Sequence, residues 1–274
     1  MALFSLLLVL ALERMMTKTR LWRSETYLDA YFSLVSKPLK LEQASPQVLV
    51  YGVLIIPAAL TFAAQTQIDN LFFQLALGSV ILMIGTGCPN VRSSFKGYLQ
   101  AANRGDMQAC DLYAEQLNYR PETGRSFGQH IAWINYSHYM AVALWFVALG
   151  AAGVVLYITV RYVALRLSQI NHPQAAGLAS ILHVLDWVPV RLTTLGYMLV
   201  GNFSEAFGVW FRSLIDLKMS AADMIAKTAK ASELVEPDLH DCTEEPCTML
   251  RLAKRNVMLM LVVVAILTLS GLLV

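Results

Sequence analysis

Charge is what this sequence has least of. Only 15% of its 274 residues are charged, 57% are apolar, and the mean hydropathy is +0.53. An ordinary soluble domain carries about 25% charged residues. A chain this poor in charge cannot cover a water-facing surface of its size, so lipid covers part of it. Disordered chains are polar and charge-rich, and that class is excluded as well. Four cysteines are too few at this length for a secreted disulfide scaffold. A formal net charge of +2 offers no basic surface for nucleic acid. No GxxxxGK followed by Ser or Thr occurs, and no GxGxxG; Gly85-Thr86-Gly87-Cys88-Pro89 reads instead as the end of a membrane helix, with Pro89 as its stop. Strand alternation, hairpin dipeptides, internal repeats and low-complexity tracts are missing too.

Long apolar runs are there in quantity. A spanning helix needs about 20 mostly apolar residues. Residues 48–64, with Pro57 inside, and 71–87 meet this and are joined by 65–70, a loop without Lys or Arg; they predict a tight helical hairpin. Residues 139–160 are long enough but contain Gly150 and Gly153, and 257–274 form an apolar end behind the basic anchor Arg251, Lys254 and Arg255. Residues 1–12 are apolar but short, and the basic residues follow the run instead of preceding it, so they read as a retained, short or half-inserted helix and not a cleaved signal. Residues 178–201 are apolar yet hold His183, Asp186, Pro189 and Arg191, which suits a kinked helix packed within protein or lying at the membrane interface. The fold class is all-α: a polytopic helical membrane protein with four to six membrane segments.

Basic residues orient such a chain. Residues 13–47 hold six Lys and Arg, 88–138 hold five and 203–256 hold seven. These segments are therefore expected in the cytoplasm, and the 65–70 tip outside. The organisation follows as N-terminal membrane helices (1–87), a cytoplasmic helical segment (88–138), membrane or interfacial helices (139–202), a second cytoplasmic segment (203–256) and a C-terminal membrane helix (257–274). Arg161 and Arg166 are misplaced if 139–160 crosses alone. Either 178–201 returns the chain, or Gly150-Ala151-Ala152-Gly153 breaks the segment into a re-entrant hairpin. Residues 95–118 predict two helices interrupted at Gly105, with Asp106 capping the second. Residues 204–234 predict an amphipathic helix behind Ser204, with Phe207, Trp210, Phe211 and Leu214 on one face, and 235–248 an acidic loop with two prolines.

Candidate chemistry is sparse. His240, Asp241, Cys242, Glu244, Glu245 and Cys247 crowd one stretch, but the CxxxxC spacing departs from a zinc pair, and an acidic surface loop with reduced thiols is the better reading. No metal site is expected. His183 and Asp186 lie three apart on one helix, and Pro189 loosens the helix before Arg191. Two readings stay open: an internal Asp–Arg pair tying helices together, or a polar pocket at the membrane boundary. Glu13 and Arg14 end the first apolar run, and Asn135 lies one turn before His138, with Trp133 and Tyr136 as interfacial aromatics. An unpaired charge in an apolar bundle is disfavoured by roughly 2.5–3.5 kcal/mol on insertion scales. Hence the expectation that Glu13, Arg14, Arg104, Asp106, Asn135, His183, Asp186 and Arg191 meet around one cavity open to the cytoplasm. With an Arg fork in it, an anionic small molecule is the natural ligand.

The stretch His183-Val-Leu-Asp186-Trp-Val-Pro189-Val-Arg191-Leu192 resembles the signature segment of the AmpE family. So do the opening Leu-rich run ending in Glu13-Arg14, the Asn103-Arg104-Gly105-Asp106 turn and Trp133-Ile134-Asn135. The resemblance covers nearly the whole chain. It implies a bacterial inner-membrane regulator linked to induction of β-lactamase and to cell-wall-derived signals, with a possible signalling partner and no catalysis. AmpE in turn resembles the CbiB/CobD membrane enzymes of cobalamin synthesis, which join an aminopropanol unit to a carboxylate using a nucleotide and magnesium. Of their Asp-Asp-x-x-Asn-x-x-Pro-Ala-Arg stretch, Pro189 and Arg191 match, while Leu182, His183 and Asp186 replace the acids and the amide. Arg104 and Asp106 match their Arg-x-Asp turn. Their glycine-rich stretch resembles 150–157, but the Asn-Thr that follows is Arg161-Tyr162 here. That resemblance keeps a ligase, with nucleotide and magnesium, as an alternative to the regulator. A transporter is a second alternative, resting on the polar residues near apolar helices.

Overall fold

A computed structural model describes residues 2–15, 22–36, 48–68, 70–216, 218–235 and 242–273. Every regular element among them is helical. In chain order the α-helices are α1 (Ala2–Met15), α2 (Ser24–Ser36), α3 (Ile56–Gln67), α4 (Leu71–Gly85), α5 (Pro89–Ala102), α6 (Met107–Gln116), α7 (Phe127–Asn135), α8 (Ala141–Gln169), α9 (Ala175–Val200), α10 (Phe203–Ile215), α11 (Ala221–Ser232) and α12 (Glu244–Leu269). π-Helical segments precede α3 (Val48–Ile55) and α8 (Tyr136–Met140). The chain divides into two compact units: Met1–Gly87 with Ala141–Asp186 and Val264–Val274, and Cys88–Met140 with Trp187–Val263.

In the first unit, α3 and α4 form the expected hairpin, with the Asn70 side chain capping α4 through Phe72 N. Pro57 accounts for the π segment ahead of α3. It has no N–H and its ring crowds the carbonyl four residues back, so the helix widens there. That carbonyl belongs to Val53, and the Tyr31 hydroxyl of α2 donates to it at 3.1 Å and to Gly52 at 3.2 Å. The α1 helix packs on α4 and α8.

Of the two readings for 139–160, the broken one holds. Gly150 sits at φ 65°, ψ −149° inside α8, a backbone region open to essentially glycine alone. The helix folds back there. A Cβ on Gly85 would lie 2.6 Å from Val154 and 3.5 Å from Val142, two residues that a straight helix would hold about 18 Å apart. Gly153 faces the Trp145 carbonyl so closely that any side chain would strike it. By length and composition 127–169 passes as a single membrane-crossing helix, but it is two antiparallel arms, 141–149 and 151–169. Along the second arm, Val160, Val163, Ala164 and Leu167 pack with Val53, Leu54 and Leu178 into one apolar cluster.

In the second unit, Asp106 caps α6 through Ala109 N at 3.0 Å, as its place after Gly105 predicts. Tyr98, Ala101 and Cys110 form the core between α5 and α6. Ser126 and Gln129 make a reciprocal capping box on α7. Arg125 pairs with Asp223 at 3.1 Å, and Arg255 with Glu233.

Four expectations need correction. Gln65 belongs to α3, which runs to Gln67, so the hairpin loop is shorter than 65–70. Pro89 does not stop a helix but opens α5, where its missing N–H costs nothing. Asn202, not Ser204, caps the amphipathic helix α10, accepting from Glu205 N. The acidic loop ends early, because Glu244 and Glu245 lie in the first turn of α12, where acidic residues complement the helix dipole.

Candidate functional site

The polar residues of the first unit converge on its second arm. Asp186, near the middle of α9, is only 2% exposed. The Tyr157 hydroxyl donates to its Oδ1 at 3.0 Å, and the Arg161 guanidinium lies 5.8 Å from the Tyr157 ring centre. Tyr157 and Arg161 are one helical turn apart on 151–169, so that arm sets a hydroxyl donor on the buried acid and a cation beside the donor's ring. Lower on the same arm, Tyr162 donates to Asp29 of α2. Glu13 is a second deeply buried acid of this unit, also 2% exposed, and His183 is half-buried one turn before Asp186.

At the fold-back itself, the Gln65 side chain accepts from Ala152 N at 3.1 Å. Breaking a helix leaves first-turn amides of the next arm without acceptors, and Gln65 supplies one. Gln74 Nε2 donates in turn to the Gln65 carbonyl at 3.3 Å, so the α3–α4 turn and the Gly150 turn are tied together.

The other expected site residues lie in the second unit. Arg191 donates from Nη1 to the Trp187 carbonyl at 3.0 Å and from Nη2 to that of Leu214 at 3.4 Å, while its guanidinium sits 4.1 Å from the Trp187 ring centre. Its Nε–H is buried and donates to no partner. An internal Asp–Arg pair is therefore not what holds this arginine; main-chain carbonyls and an indole face do. Asp106 is occupied as a helix cap, with Arg104 in the turn before it. Asn135 is half-buried at the end of α7, beside the stacked Trp133–Tyr136 pair. The side chain of Arg14, and His240 and Asp241 of the acidic loop, lie outside the described residues.

Among the described residues no group of three or more His, Cys, Asp or Glu could hold a metal ion, and the four cysteines are free thiols. Sequence reasoning passed over Tyr157, Gln65 and Asn256, whose roles depend on partners far along the chain. Asn256, buried in α12, donates to the Thr193 carbonyl at 2.9 Å. An amide just inside an apolar run behind a basic anchor was its only local sign.

Apolar helices long enough for a bilayer, a glycine fold-back and a buried acid held by a tyrosine hydroxyl define a helical integral membrane protein. The family model described as "Regulatory signalling modulator protein AmpE" matches residues 1–274. The chain belongs to the AmpE family. It is 32% identical over 292 aligned residues to "Protein AmpE" of Shigella flexneri, with both chains covered in full. No solved structure matches.

Proposed function

We propose that this protein is an inner-membrane regulator of β-lactamase induction that responds to a cell-wall-derived, anionic small molecule without transforming it. The observation that carries this is the Tyr157–Asp186 pair with Arg161 beside it. An ionisable residue among apolar helices is a functional candidate by default, and this acid holds the Tyr157 hydroxyl as its donor. The unpartnered Nε of Arg191 supports an anion at the following stretch of α9. Glu13, Arg14, Arg104, Asp106, Asn135 and His183 complete the candidate set, and a membrane or cytoplasmic signalling partner reads the response.

The topology we propose puts 88–138 and 203–256 in the cytoplasm and the α3–α4 turn outside. The Gln65–Ala152 bond ties the Gly150 turn to the outer end of α3, a level the short arm 141–149 reaches as a re-entrant hairpin and not as a full crossing. Arg161 and Arg166 then run back toward the cytoplasm, in keeping with the positive-inside tendency. Alkaline phosphatase fused at 115 or 230 should be inactive, and fused at 69 active; the reverse pattern refutes this orientation. For the function, Asp186→Asn, Tyr157→Phe and Arg191→Ala are compared in an induction assay with membrane protein levels measured alongside. Normal levels with lost or constitutive induction support the proposal. Induction that merely follows protein level, or stays normal, makes the set structural. Nucleotide or magnesium co-purifying with the protein would overturn the non-catalytic reading.

A further inference from the structure

The α10 helix carries two rows that call for different solvents. Ala206 and Ser213 are buried against protein. On one flank Phe203, Phe207, Phe211 and Ile215 follow at intervals of four, each at least 46% exposed. Their three phenyl rings stack at 5.7 and 6.1 Å. The other flank carries Glu205, Arg212 and, at the C-cap, Asp216, all exposed. Both rows run the length of the helix. A helix that crosses a bilayer meets water only at its ends, whereas one with an apolar row beside a charged row from first turn to last has its axis along the interface.

Both ends of α10 are fixed. Asn202 N donates to the Ser232 carbonyl at 2.8 Å, and Arg191 reaches the Leu214 carbonyl from ten residues before the Gly201 turn. So α10 runs back along 187–200 of α9. In that stretch the exposed residues are Trp187, Val188, Leu192 and Leu199, all apolar. The aromatic row of α10 thus shares its apolar exposure with this stretch of α9, as two lipid-facing helices would, and the charged row marks where α10 meets water.

We propose that α10 lies in the plane of the membrane interface, with its Phe203–Phe207–Phe211–Ile215 row sunk into the acyl boundary of a phospholipid bilayer. Such helices sit roughly 5–10 Å into that boundary. The test places photoreactive p-benzoylphenylalanine singly at Phe207, Phe211, Glu205 or Arg212 of the full chain. The protein is reconstituted in vesicles of phosphatidylethanolamine and phosphatidylglycerol. All four sites are on the surface, so none disturbs the core. Illumination should give a phospholipid mass shift at 207 and 211 and its loss at 205 and 212. Adducts to a second copy of the chain at 207 or 211 would make the row a protein interface. Lipid adducts at all four sites would sink the whole helix in the bilayer, and none at 207 and 211 would leave the row in water; each of these outcomes overturns the proposal.

Discussion

Replacing Gly150 with alanine tests the fold-back at its centre. A non-glycine residue at φ 65°, ψ −149° carries backbone strain of about 1–3 kcal/mol. The added methyl would also stand 2.5 Å from Gln65 Nε2, which must move. Moving it endangers the Gln65 bond to Ala152 N, and a buried amide left without an acceptor costs about 1–3 kcal/mol. The sum is about 2–6 kcal/mol, a large share of the ~5–15 kcal/mol that holds a domain folded. Equilibrium unfolding of purified protein in mixed detergent micelles, followed by helical circular dichroism, measures it.

The two contributions separate in a double-mutant cycle. With Gln65→Ala the amide is already unsatisfied and nothing blocks the new methyl, so Gly150→Ala should then cost the strain alone. The coupling between the substitutions should be about 1–3 kcal/mol. Additive costs would mean that Gln65 does not hold the turn. A Gly150→Ala cost under about 1 kcal/mol would mean that the chain does not use the glycine-only conformation, and the fold-back would fall with it.

Two further outcomes are expected. Burial, with the neighbouring Cys242 thiol and Asp106 adding to it, pushes the Cys110 thiol up to about 11. Against an unburied thiol near 9, its thiolate fraction at neutral pH is lower by about 100-fold. Maleimide labelling of Cys110 in folded protein should be slower than that of a small thiol by at least that factor, and should keep rising about tenfold per pH unit beyond pH 9; labelling at the small-thiol rate refutes the burial argument. The stability that the neutral Cys110 contributes is full below the unfolded value near 9 and is lost as pH climbs through 11. At the other end of the first unit, Tyr31→Phe should destabilise by about 1–3 kcal/mol, because it orphans the Val53 carbonyl. Combined with Pro57→Ala, which restores an amide donor to that carbonyl, most of the loss should be recovered; an equal loss in both backgrounds would show that the hydroxyl does not stand in for the missing amide.

What the sequence made legible was local. The α3–α4 hairpin shows in two apolar runs around a short polar turn. Asp106 shows as a cap because it follows a glycine and precedes an amphipathic run. Errors of a few residues came from reading the wrong local cue. Asn202 and Glu205 carry the spacing of a capping pair, which Ser204 masked, and Glu244-Glu245-Pro246 suits a helix start although it reads as a loop. The site was legible only in part. Asp186 and Arg191 stand out as charges in an apolar run, but their partners do not: Tyr157 is 29 residues from Asp186, and Gln65 is 87 residues from the amide it caps. Nothing in a sequence pattern announces a bond between residues so far apart. The carbonyls that hold Arg191 are invisible in principle, since every residue has one.

The fold-back at Gly150 also bears on the helix that follows it. By length and apolar content α9 could cross a membrane. Under the proposed topology the chain enters the first arm of α8 from the cytoplasm, turns at Gly150 and returns along the second arm with Arg161 and Arg166. The α9 helix therefore starts on the cytoplasmic side, and the basic stretch after it lies on that side too. A helix that begins and ends on one face does not cross. That assignment removes the difficulty of carrying Asp186 and Arg191 through a bilayer core, where each would cost roughly 2.5–3.5 kcal/mol. It leaves Arg191 free to lie along Trp187 and close the end of α10. A reporter fused at 172 separates the two cases: an exported, active phosphatase there would require α9 to cross and would undo the argument from Gly150 onward.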